Sequence, residues 1–117
     1  MDSPPDGILL AYVDAAIEHG RATSGGDYRA ANRAHDVVAR LYARLRRQGT
    51  SAQALSPLLH HPEASVRIWA ASHALEFAPS LGVPVLATAA ADPGMAGFTA
   101  AMVLSEWRAG RLSFPDV

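Results

Sequence analysis

The stretch His61-Pro-Glu-Ala-Ser-Val-Arg-Ile-Trp-Ala-Ala-Ser-His-Ala-Leu75 decides the fold. It opens with a proline and an acid, where helices begin. It then spaces large apolar residues at Val66, Trp69 and Leu75 around the small pair Ala70-Ala71. A shift of 29 positions sets it against Met95-Ala-Gly-Phe-Thr-Ala-Ala-Met-Val-Leu104. Val66 then falls on Met95, Trp69 on Phe98, Ala71 on Ala100 and Leu75 on Leu104. Repetition at about 30 residues marks stacked helices, because one helical unit cannot bury its apolar face alone. The alanines allow close approach, and the larger residues fill the gaps between layers.

Working outward, helical periodicity runs along nearly the whole chain and alternating β patterns are almost missing. Turn-forming clusters such as Thr23-Ser-Gly-Gly-Asp27 and Gln48-Gly-Thr-Ser51 separate the segments. Pro62, Pro79 and Pro93 stand where prolines open helices. Six helices are predicted at residues 7–22, 26–48, 51–61, 62–78, 81–92 and 94–109. Residues 1–6 are expected to be flexible and residues 110–117 irregular. Pro57 must either start a shorter helix or kink a longer one. The expectation is one all-α domain over residues 1–117, a short stack of about three antiparallel helix pairs.

The Val66-Arg67 pair followed by two alanines resembles the second helix of a HEAT repeat. The resemblance implies a buried valine and an arginine reaching an acid, here Glu63 or Asp92. Ala96 stands where the next such arginine would be. More of the chain is similar to a small bacterial family, the domain of unknown function numbered twenty-nineteen. The features that carry this likeness are residues 26–49, with Gly26, Asp27 and Asn32 at a helix start, residues 58–79, and the final Ala100–Gly110 segment. The family implies a compact HEAT-like helical fold and no reaction, cofactor or catalytic residue.

Composition narrows the function. The chain has 117 residues, half of them apolar, and no cysteine, which excludes disulfides and thiolate metal sites. Its formal net charge is −1, so no global field draws it to nucleic acid or to a membrane. The first residues lack the pattern of a secretory signal, and no apolar run is long enough to span a bilayer, so a cytoplasmic protein is expected.

No phosphate-binding glycine loop or zinc-protease motif is present. His60 and His61 diverge by about 100° on a helix and cannot easily share a metal. His73 shares a face with Val66, Trp69, Ala70 and Phe77, which suits a packed histidine. His35 and Asp36 are helix neighbours that do not face each other. No catalytic residue, metal site or cofactor is expected, and an enzyme with an unrecognised site is the third alternative. Trp69 is expected in the core, whereas Trp107 suits core or surface equally.

One pattern remains. Arg29, Arg33, Arg40, Arg44 and Arg47 recur at steps of 4, 7, 4 and 3. On a helix they occupy a sector about 60° wide, interrupted by Asp36. Ala34, Val38, Leu41 and Leu45 lie opposite as a core stripe. An ordinary solvated face accounts for such a strip. The functional reading is a partner-binding strip for an acidic protein, and the alternative is a nucleic-acid-associated module. The near-zero charge, the lack of lysine and the lack of aromatics on that face oppose nucleic acid. Asp14 and Glu18 of the first helix are expected to neutralise part of the strip. The expected role is therefore protein–protein interaction. By analogy with small bacterial domains of this size, that role would be an adaptor or an immunity protein that blocks a toxin.

Overall fold

The computed structural model describes residues 4–114. Residues 1–3 and 115–117, the outer parts of the expected flexible start and irregular end, lie outside the described residues. The described chain is all-helical: α1 (Pro4–Gly25), α2 (Tyr28–Arg47), α3 (Ser51–Leu55), a 3₁₀ turn at Ser56–His60, α4 (Ala64–Phe77), α5 (Pro79–Ala90) and α6 (Met95–Arg108). Among the described residues there is no strand.

Local chemistry places the breaks. After α1 the Asp27 amide donates to the Ala22 carbonyl at 2.9 Å and the Gly26 amide to Thr23 at 3.2 Å. Gly26 takes φ +77°, which a side chain would strain. Asp27 then caps α2, its Oδ1 accepting from the Ala30 amide at 3.1 Å. Pro57 brings no N–H to the carbonyl four residues back, so the expected third helix ends at Leu55 and continues as a 3₁₀ turn. Pro79 begins α5 directly after Ala78, so α4 and α5 are joined by a single residue. α1 starts at Pro4, inside the segment expected to be flexible.

The tightest packings are α1 on α2, α4 on α5 and α5 on α6, with α4 also touching α1 and α6. α4 is therefore the central helix. It buries Val66, Ile68, Ala70, Ala71, His73, Ala74 and Leu75, covering most of its circumference. α5 comes so close that a Cβ on Gly82 would lie 2.5 Å from the Ala71 carbonyl oxygen. The core joins Tyr12, Val38, Leu45, Leu55, Val66 and Leu86, each essentially inaccessible.

The repeat register holds on one stripe and fails on another. Ala71 and Ala100 are buried, as are Leu75 and Leu104. Val66 is buried and Trp69 half-buried, but their counterparts Met95 and Phe98 are 44 % and 57 % exposed. The physical reason is position: α6 buries its Gly97, Ala100 and Leu104 side, and no described helix covers its Met95, Phe98 and Met102 side. The Arg67 expectation is also corrected. Its Nη1 donates to the carbonyls of His61 at 2.8 Å and Pro62 at 3.0 Å, rather than to Glu63 or Asp92. Those carbonyls precede α4 and offer the half-buried guanidinium a nearer acceptor than either exposed acid.

Candidate functional site

α2 presents three faces. Ala34, Val38, Leu41 and Leu45 are buried in the core, as expected from their spacing. Arg29, Arg33, Arg40, Arg44 and Arg47 are all exposed along the opposite side. Arg29, Arg33, Arg40 and Arg44 make no ion pair or side-chain hydrogen bond with any described residue. Asp14 and Glu18 border a shallow hollow with Arg33, but Glu18 pairs with Arg21 of its own helix at 2.8 Å. The expected neutralisation by helix one is not seen in the described residues.

The third face is His35, Ala39, Tyr42 and Arg46, at steps of 4, 3 and 4. It lies roughly 140° around the axis from the arginine strip. This face meets Tyr12 and His19 of α1 and Trp69, His73 and Glu76 of α4 in an aromatic and histidine cluster. Tyr12 and His19 stand seven residues apart, and Trp69, His73 and Glu76 follow steps of 4 and 3, so each helix aims its set in one direction.

At the centre His73 stacks on Tyr42, ring centroids 3.8 Å apart and planes 4° from parallel. Its Nδ1 meets the Tyr12 hydroxyl at 2.7 Å. Burial pushes the His73 imidazole down to about 3, helped by the positive Arg46 and by His35, so it is neutral at pH 7. Burial likewise raises the Tyr12 phenol well above its ordinary value, with Tyr42 adding to the shift. Tyr42 donates a short hydrogen bond to Glu76 Oε1. Burial raises the Tyr42 phenol too, the hydrogen bond and charge of Glu76 add to this, and Arg46 opposes it. Arg46 Nη2 donates to Glu76 Oε2 at 3.0 Å, and its guanidinium carbon lies 5.7 Å from the Tyr42 ring centre, within cation–π range.

Toward solvent, His19 and His35 set their rings edge-on to Trp69 at 5.2 and 5.6 Å. Burial lowers the His19 imidazole, and His35 lowers it further. His35 and Asp36 do approach each other, but the contact is exposed and 3.4 Å long. A cleft of about 450 Å³ opens over these rings, with Thr99 and Val103 of α6 on one side and Leu112 to Phe114 on another. Arg46 reaches this last segment as well, donating to the Phe114 carbonyl at 2.9 Å.

His61 Nδ1 accepts from the Glu63 amide at 3.0 Å just before α4, and His60 is exposed. Trp107 is half-buried against the core. Among the described residues, no group of three or more His, Asp or Glu side chains is gathered to hold a metal ion. No described helix is long and apolar enough to cross a membrane.

The sequence reading placed the arginine strip and the packing of His73, and missed the cluster. Its signal was present: Tyr42 and Arg46 stand one turn apart on a face that also carries His35. The strip and the cleft lie on separate sides of α2 in an all-helical chain. The family described as Domain of unknown function (DUF2019) matches residues 6–105, and the chain belongs to that family. None of the curated proteins compared with the chain matches it. None of the solved structures compared with it does so either.

Proposed function

We infer that the chain is a protein-interaction module, a short HEAT-like stack of about three antiparallel helix pairs that docks an acidic protein through α2. The observation that carries this reading is the strip itself. Arg29, Arg33, Arg40 and Arg44 share one exposed face without an ion pair to any described residue, in a chain whose net charge is −1. Charge gathered on one face of a nearly neutral molecule orients an approaching acidic surface. An extended helical face suits protein docking, and a cytoplasmic adaptor or an immunity protein that masks a toxin fits that use. Nucleic acid is the weaker reading, since neither lysine nor an aromatic side chain joins the strip.

A photo-crosslinking residue in place of Asp36, within the strip, tests the docking in the native host. The captured protein should be acidic. With it purified, Arg40→Glu combined with Arg44→Glu should slow association at least several-fold at low salt and leave the helical spectrum intact. Added salt should erase the difference, because screening acts over about 8–10 Å. Unchanged kinetics at low ionic strength would leave the strip a solvated face. A salt-dependent gel shift with DNA or RNA, lost in the double variant, would favour the nucleic-acid reading instead.

A further inference from the structure

We propose that the cleft between α2, α4 and α6 is a groove for an extended apolar peptide, and that the chain's own segment after α6 already occupies one wall of it. That segment leaves the helix by a sharp turn. The Arg111 amide donates to the Glu106 carbonyl at 2.9 Å, and Gly110 takes φ +74°. Arg111 then forks onto the Glu106 carboxylate at 3.0 and 2.9 Å. Residues 111–114 have no helical or sheet hydrogen bonding of their own.

They nevertheless lie in a regular way. Leu112 and Phe114 are half-buried against the core, while Ser113 between them is exposed. This alternation is how an extended strand is read, with every second side chain turned into the surface. Arg46 supplies the main-chain contact by donating to the Phe114 carbonyl, an acceptor that any residue would offer. The Tyr42 ring, 6.5 Å from the Phe114 ring, forms the floor. The groove thus holds an apolar–any–apolar segment through two side chains and a backbone carbonyl.

Two observations point to a replaceable occupant. The segment does not fill the cleft, which keeps about 450 Å³ of open space beside Leu112 and Phe114. Further, the family match ends at residue 105, before this segment, whereas His19, His35, Tyr42, Arg46, Trp69 and His73 all lie within it. The floor lies inside the matched span, and the strap lies beyond it. The partner that fits is a protein segment with the same alternating apolar pattern, docking where Leu112 and Phe114 now sit. This surface is separate from the arginine strip and does not depend on it.

A labelled peptide of residues 108–117 is the probe, followed by fluorescence anisotropy. In the wild type the tethered copy competes at an effective concentration on the order of a millimolar. The full chain carrying Leu112→Ala and Phe114→Ala should therefore bind the peptide at least tenfold more tightly than the wild type. A peptide with both apolar residues replaced by alanine should not bind it. Equal affinity of the two chains for the probe would overturn the proposal. So would equal binding of the two peptides. Loss of helical structure in the double variant would also overturn it, since the segment would then be part of the core.

Discussion

α4 and α6 carry the same apolar pattern, and the fold uses them differently. On one stripe they agree: Ile68, Ala71 and Leu75 in α4, and Gly97, Ala100 and Leu104 in α6, are all buried. On the next they part. Trp69 and His73 meet rings of α1 and α2 and Val66 is fully buried, whereas their counterparts Met95, Phe98 and Met102 are exposed. The difference lies in the neighbours: α4 packs against α1, α5 and α6, whereas α6 packs mainly against α5. A repeat in the letters states what a helix can bury; its place in the fold decides what it does bury.

The largest expected effect tests the shared stripe. Leu75→Ala and Leu104→Ala should each cost about 2–5 kcal/mol in chemical denaturation, as large-to-small changes in a packed core. A loss below about half a kcal/mol at either position would break the alignment there.

The second sharpens the contrast between His73 and Met102. His73 sits near 3 in the folded protein because of its burial and its charged neighbours, against an ordinary value of 6.5. The unfolded chain therefore binds more protons between these values. Stability from this site is complete above pH 6.5 and falls as the pH drops toward 3, by about 1.4 kcal/mol per pH unit. Between pH 6.5 and pH 5 the wild type should lose about 2 kcal/mol through this group. His73→Phe should flatten that slope whatever its own stability at pH 7. A slope unchanged by the substitution would show that His73 does not set it.

A smaller effect belongs to the start of α4. Arg67 holds the His61 and Pro62 carbonyls, and α6 has Ala96 at the matching place. Arg67→Ala should cost about 1–2 kcal/mol, through lost charge-assisted hydrogen bonds and lost packing of its stem. The loss should persist in 1 M salt, where a surface ion pair would have faded. A loss that disappears in salt would restore an acid as the partner.

Much of the fold was legible because helices announce themselves locally. The turns at Gly26 and Gly49, and the Val38, Leu41 and Leu45 stripe, each depend on a few neighbouring residues. The third helix was overextended because Pro57 permits two outcomes, and the structure takes the 3₁₀ one. The exposure of Phe98 was not legible, since it depends on which helix has a neighbour. The same limit applies to the cluster. Tyr12, Tyr42 and His73 are 30 or more residues apart along the chain and become a site only when three helices converge. Arg46 stands apart from the strip, and its role depends on Glu76 and Phe114, which lie 30 and 68 residues further along the chain. The strip could be placed from spacing alone, because exposure on one helix face needs no knowledge of the partner helices.

The most direct test of the difference between α4 and α6 compares Trp69→Ala with Phe98→Ala by chemical denaturation under identical conditions. These positions share one place in the repeat, and Phe98 is 57 % exposed whereas Trp69 packs against the core. Trp69→Ala should cost about 2 kcal/mol or more, and Phe98→Ala less than about half a kcal/mol. Equal losses at the two positions would contradict the account, because α6 would then be covered on the face that the structure leaves open.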